Sequence, residues 1–215
     1  MIYDLSKSNS IFNNFLAEIR DVQIQKDSMR FRRNLERAAE ILGYELSKKL
    51  SYSSKEVTTP LGIAKVNTLD TELVLATILR AGLPMHQGLL NVFDKADSAF
   101  VSAYRKHKNG EKFEIRVEYL AAPSIDKKDL VISDPMLATG SSMVTVYKEL
   151  LKNGNPRKTH IIAGIAAPEA IEYVQKHLPK TTDIWVGAID DELTAHSYIV
   201  PGLGDAGDIA FGDKL

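Results

Sequence analysis

The sequence predicts an α/β protein built on a mostly parallel, doubly wound sheet. Short apolar runs recur at Leu73–Leu79, Leu130–Ser133, Ile161–Ala167 and Ile184–Ile189, the pattern of strands buried on both faces. Segments with helical spacing separate them, as in repeated strand–helix units. The chain has 215 residues, 44% hydrophobic and 26% charged, enough for a full core without cross-links. One domain spanning 1–215 is expected.

In chain order, Ile11–Ile19 reads as a short amphipathic helix. Asp27–Leu50 reads as a longer one, with Phe31, Leu35, Ala38, Ala39, Leu42 and Leu46 at helical spacing. Its other face mixes Arg30, Arg32, Arg33, Glu36, Arg37 and Glu40, as in a solvated face laced with charge pairs. Thr59-Pro-Leu-Gly, within Val57–Val66, marks a turn between short strands. After the strand Leu73–Leu79 come a turn at Arg80-Ala-Gly and a helix from Pro84 to Phe93. Ser98–Tyr104 and Phe113–Leu120 flank Asn109-Gly110, which predicts a hairpin. Leu130–Ser133 precedes a helix over Ser142–Lys152, stopped at Gly154. Ile161–Ala167, a helix over Pro168–Leu178 that opens on proline, and Ile184–Ile189 complete the alternation.

Composition narrows the chemistry. There is no cysteine, so disulfides, thiolate metal sites and cysteine nucleophiles are excluded. The net charge is −1, which favours neither a nucleic-acid nor a membrane partner. No apolar run reads as a signal peptide or a membrane span, so a soluble cytoplasmic protein is expected. His86, His107, His160, His177 and His196 fall without metal-ligand spacing and read as structural or surface residues.

Ligands of such sheets bind beyond the carboxyl ends of the strands. There, Asp134-Pro-Met-Leu is followed by Ala138, Thr139, Gly140, Ser141 and Ser142, and then by a helix. Small residues let the backbone approach a ligand, and a helix start favours an anion. Asp134 would repel a phosphate but can accept hydrogen bonds from ribose hydroxyls. The segment therefore suits a sugar-phosphate. It is no Walker loop, since Gly-Lys-Ser/Thr is missing, and the residues alone also allow a plain capped helix start with Asp134 in a turn.

Gly202-Leu-Gly204-Asp-Ala-Gly207 matches the dinucleotide pattern by letter. Only eight residues follow it, too few for the helix and distant acid that a dinucleotide site needs. Exposed backbone groups there could instead match uracil, whose edge presents acceptor, donor and acceptor. Cytosine would leave buried groups unpaired, at about 1–3 kcal/mol each. An irregular C-terminal tail is the plainer alternative.

Ile78-Leu-Arg-Ala-Gly-Leu, Asp134-Pro-Met-Leu-Ala-Thr-Gly-Ser-Ser and Tyr198-Ile-Val-Pro-Gly-Leu-Gly-Asp-Ala-Gly-Asp, in that order, resemble uracil phosphoribosyltransferase. Thr59-Pro-Leu-Gly and Arg30-Phe-Arg-Arg-Asn-Leu-Glu-Arg are similar too. Pro135, where many relatives carry a second acid, is the habit of the uracil branch. The resemblance implies a type I phosphoribosyltransferase fold with a protruding β-hairpin and a small hood. It implies conversion of uracil and 5-phospho-α-D-ribose 1-diphosphate (PRPP) to UMP and diphosphate. It also implies Mg²⁺ held through the diphosphate rather than by direct protein ligands, a homo-oligomer (dimer or tetramer) and GTP as an effector.

By the same resemblance, Arg80 and Arg105 hold the diphosphate, and Asp134, Ala138, Thr139, Gly140, Ser141 and Ser142 hold ribose and 5-phosphate. Ile199, Gly204, Asp205 and Ala206 frame uracil, while Asp205 and Arg105 are the catalytic candidates. Ser141, Pro84, His107, Ile209 and Asp213 depart from the family pattern. Ser141 raises the sharpest question, because a glycine usually stands there and serine narrows the backbone angles. Two other readings compete: a nucleotide-sensing RNA-binding regulator on the same fold, and a phosphoribosyltransferase for another base.

Overall fold

The computed structural model describes residues 1–107 and 113–214, with side chains for all of these except 104–107 and 113–116. Its centre is a seven-stranded sheet. The strands are β1 (Ile2–Asp4), β4 (Leu73–Leu79), β5 (Asp97–His107), β6 (Phe113–Ala121), β7 (Asp129–Leu137), β8 (Lys158–Ala166) and β9 (Asp183–Ile189). Their order is β1-β9-β8-β7-β4-β5-β6. Every pairing is parallel except β5 with β6, which forms the expected hairpin. The Asn109-Gly110 turn itself lies outside the described residues. The helices are α1 (Phe12–Arg20), α2 (Ser28–Ser47), α3 (Leu83–Val92), α4 (Ser141–Leu150), α5 (Pro168–His177) and α6 (Ala206–Phe211).

Two layers of helix explain the unbroken apolar runs. Val74, Ala76 and Ile78 of β4 pack with α4 and α5, while Leu73 and Leu75 pack with α1, α2, α3 and α6. Neighbours along a strand point to opposite faces, so both must be apolar. Each fully buried Leu or Ile adds about 1.5–3 kcal/mol relative to exposure. Helices α2 and α3 approach so closely that a Cβ on Gly88 would lie 2.1 Å from the Glu36 carbonyl oxygen. The charged face of α2 is paired largely with other elements. Arg30 binds Glu18 of α1 at 2.6 Å, and Arg32 donates to the Ala210 carbonyl of α6 at 2.6 Å.

Four strands extend or add to the expectation. β1 was missed; it pairs in parallel with β9, stacks Tyr3 on Trp185 at 3.8 Å, and places the terminal ammonium 3.0 Å from Asp183. Three residues carry too little periodicity to be seen alone. The strands flanking Thr59-Pro-Leu-Gly are longer than expected: β2 (Tyr52–Thr59) and β3 (Gly62–Leu69) pair over eight residues each. Most importantly, β7 continues past Ser133 to Leu137. β4 pairs with it only as far as Ser133, whereas β8 follows it to Leu137. Pro135 lies on this one-sided stretch, where its missing N–H takes no bond from a ladder.

Candidate functional site

The strand extension corrects the alternative in which Asp134 is a turn residue. Asp134 lies in β7, just where β4 has stopped pairing. Its Oδ1 accepts the Met136 N–H at 3.1 Å. Burial pushes its carboxyl up to about 7; the Met136 bond opposes this and the like charge of Asp205 adds to it. At neutral pH the group thus exchanges its proton readily, and hydrogen-bond donors or a cation would favour the ionised form.

Beyond β7 the chain turns into α4. Gly140 carries the left-handed conformation, φ +75°, and a Cβ there would lie 2.9 Å from the Ala170 carbonyl oxygen. Glycine is therefore required at 140. Ser141 is the first residue of α4 and has no positive φ, so the substitution that departs from the family pattern meets no backbone conflict. Gly140 provides no side-chain cap for α4; the Ser141 N–H makes a long 3.4 Å bond to Thr139 Oγ1, and the Ser142 and Met143 N–H groups are left for a ligand. The Thr139 and Ser141 hydroxyls share a 2.7 Å hydrogen bond. Asp134, Ala138, Thr139, Gly140 and Ser142 line one small hollow of about 50 Å³.

Across this edge, Arg80 follows β4 after a cis Leu79–Arg80 peptide bond. Gly82 lets the turn close, since a Cβ would fall 2.2 Å from Thr77 Oγ1. Arg80 is exposed, and its Nη2 donates to Asp208 Oδ1 at 3.0 Å and to the Gly212 carbonyl at 3.1 Å. Pro84 enters helix α3 in its first turn, where the missing N–H costs nothing.

The C-terminal glycines form no irregular tail. β10 (Glu192–Leu193) and β11 (Ile199–Val200) pair, a cis Val200–Pro201 bond follows, and α6 begins at Ala206. Its six residues overlap the third glycine instead of following it, so the strand–glycine-turn–helix geometry of a dinucleotide site is not present among the described residues. Ile199 and Ala206 are buried, while Gly204 is exposed with φ +90°. Asp205 Oδ1 caps α6 by accepting the Gly207 and Asp208 N–H groups at 2.9 and 3.1 Å. The N–H groups of Leu203, Gly204, Asp205 and Ala206 and the carbonyl of Gly204 make no hydrogen bond among the described residues.

Arg80, Asp134, residues 138–142 and the 199–206 loop thus gather around the carboxyl ends of β4 and β7. Arg105 and His107 lie in β5, but their side chains are outside the described set. His86 and His160 are buried and His196 is exposed. Burial lowers the pKa of His86, whose Nε2 meets Ser98 Oγ at 3.0 Å. The sequence reading missed Asp208, detectable as an acid in the first turn of α6. It also missed Arg20 and Asp190, whose pairing at 2.5 Å spans 170 positions and leaves no local signal.

Known proteins resemble this chain along its whole length. The sequence model of uracil phosphoribosyltransferase matches residues 6–213. A uracil phosphoribosyltransferase of Porphyromonas gingivalis is 54% identical over 214 residues, covering 100% of this chain and 99% of that one. Another, from Thermococcus gammatolerans, is 40% identical and covers 100% and 94%. A solved Aquifex aeolicus protein is 33% identical over the full length of both chains, with a TM-score of 0.88. A hypoxanthine phosphoribosyltransferase of Staphylococcus aureus shares the fold at 17% identity, with a TM-score of 0.52 over 86% and 83% of the chains. The chain belongs to the uracil phosphoribosyltransferase family.

Proposed function

We propose that PRPP lies along the carboxyl ends of β4 and β7, with uracil against the 199–206 loop, and that this arrangement carries the family's reaction. Uracil N1 gives up its proton and bonds to ribose C1 as the C1–O bond to diphosphate breaks and its electron pair leaves with diphosphate, giving UMP, diphosphate and a proton released to solvent. The observation that carries this reading is the open start of α4 beside Asp134. The uncapped N–H groups and the hydroxyls of Thr139, Ser141 and Ser142 suit the 5-phosphate, and the Asp134 carboxylate suits the ribose hydroxyls.

Arg80 would exchange its bond to Asp208 for the diphosphate, and Arg105, from the β5–β6 hairpin, would bind the same group. Charge grows on that group in the transition state, so cations placed there help the transition state more than the ground state. Free N–H groups at 203–206 and the Gly204 carbonyl complement uracil's acceptor–donor–acceptor edge. Asp205 faces the same region, with one carboxylate oxygen engaged as a helix cap. Positioning rather than proton transfer to Asp205 then carries most of the acceleration.

Among the described residues, no three His, Asp or Glu side chains converge on a metal position. Mg²⁺ suits a site where substrate phosphates and water supply most ligands, which supports a Mg²⁺ held through the diphosphate. When bound, it would offset charge on the leaving group.

An oligomer is part of the proposal. The β2–β3 hairpin stands away from the core, with Leu61 100% and Ile63 70% exposed. A two-stranded sheet is marginal alone, so a second copy is the natural cover. A polyanionic effector such as GTP would suit a hollow of about 600 Å³ at the amino ends of the strands. Lys49, Arg157, Lys158 and Lys180 outnumber Asp129 and Asp183 in its lining. No described helix is long and apolar enough to cross a membrane. A cytoplasmic location fits a phosphorylated substrate, whose charge resists passage through a bilayer.

A panel of bases with PRPP and Mg²⁺ tests the reading. Uracil should release diphosphate fastest; faster release with a purine would overturn it.

A further inference from the structure

We propose that Arg20 and Asp190 are positioning residues for the base: they set the geometry of the uracil loop without touching uracil. The inference rests on the uracil reading of residues 199–206.

Asp190 follows β9, and its side chain is 4% exposed. It accepts the Gly202 N–H at 2.9 Å and both Arg20 donors, at 2.8 and 2.5 Å. Arg20 Nη1 also donates to the Gly202 carbonyl at 2.9 Å. Both polar backbone groups of Gly202 are thus held by one ion pair, drawn from the last residue of α1 and from the chain just beyond β9. Gly202 itself has φ +63°, and a Cβ there would lie 2.1 Å from the Ile199 carbonyl oxygen. Gln25 Nε2 adds a 3.3 Å bond to the Leu203 carbonyl.

These bonds consume the peptide groups immediately before the free N–H groups of 203–206. The base-reading atoms therefore continue a backbone whose direction is fixed one residue earlier. A buried carboxylate needs a paired cation, and the planar guanidinium supplies two parallel donors where a lysine supplies one point charge. Loss of the fork would leave the loop in place but turned. Misplacement of about 1 Å can cost on the order of a hundredfold in rate, so a small rotation at Gly202 would be felt in the use of uracil. The 5-phosphate cradle on α4 shares none of these bonds.

The test is steady-state kinetics with Mg²⁺, varying uracil and PRPP separately, on Arg20→Lys, Asp190→Asn and Gly204→Ala. Arg20→Lys and Asp190→Asn should raise KM for uracil about tenfold or more, a change of about one decade in apparent affinity. KM for PRPP should stay within about twofold, since that cradle is held separately. An unchanged KM for uracil in Arg20→Lys overturns the proposal. So do equal rises in both KM values with a falling melting temperature, or failure of Arg20→Lys to fold, either of which makes the pair a plain structural staple. Gly204→Ala keeps the loop reading separate. If it leaves KM for uracil unchanged, the base lies elsewhere and that reading falls; if it raises KM while Arg20→Lys does not, only the positioning role falls.

Discussion

Replacing Asp134 by Asn should stabilise the fold at alkaline pH while damaging catalysis. The carboxyl stands at about 7 in the folded chain against an ordinary 3.8. The unfolded chain therefore gives up this proton near pH 4, and the folded chain keeps it until near pH 7. The penalty on folding is absent below pH 4, grows between pH 4 and 7, and is complete above. About three pKa units at 1.36 kcal/mol each set a ceiling of about 4 kcal/mol. Relaxation and water entry around a partly buried carboxylate reduce this to about 1–2 kcal/mol. For a chain of this size that is roughly 2–8 °C in melting temperature.

Asn keeps an oxygen for the Met136 N–H and removes the charge facing Asp205. Calorimetry at equal protein concentration, at pH 4.5 and pH 8, should show the gain mainly at pH 8. Turnover with uracil and PRPP should fall by about a hundredfold or more, as when one charge-bearing contact to the transition state is lost. An equal gain at both pH values, or a loss at pH 8, would refute the argument that a strained charge at Asp134 is retained for substrate.

The remaining outcomes are more direct. Arg80→Ala should raise KM for PRPP about tenfold yet barely move the melting temperature, because exposed ion pairs contribute about 0–1 kcal/mol; a large thermal loss would mean that Arg80 mainly anchors α6. Gly140→Ala forces φ +75° and a 2.9 Å approach to the Ala170 carbonyl, so it should cost about 1–3 kcal/mol by denaturant titration, and Ser141→Gly should not restore it. Ile63→Asp with Leu61→Asp should shift sedimentation to a smaller species with unchanged far-ultraviolet dichroism; an unchanged sedimentation coefficient would remove the hairpin from any interface.

The two halves of the proposed site were unequally legible. The phosphate half lies in consecutive residues, so apolar run, acid, small residues and helix could be read directly from 130 to 142. The base half is assembled from α1, the end of β9 and the 199–206 loop, and neither Arg20 nor Asp190 carries a local mark that distinguishes it from a surface charge. α6 leaves little local signal because six residues with a glycine among them look like a tail, and it forms because Asp205 caps it.

The concern over Ser141 shows how a correct local rule can be applied one position off. The rule that a tight loop before a helix needs glycine holds, but the residue that bears the positive φ is Gly140. The same displacement occurs at Asp134. The apolar run predicts a strand that ends at Ser133, and the proline that follows disfavours a ladder paired on both sides. What the residues could not reveal is that β4 stops pairing there while β8 continues. That mismatch gives β7 one bonded edge and one open one, tolerates the proline, and leaves Asp134 at the open side with too little water around it for an ordinary carboxyl. The feature that hid the end of the strand is thus the one that opens space beside it, where the proposed sugar would lie.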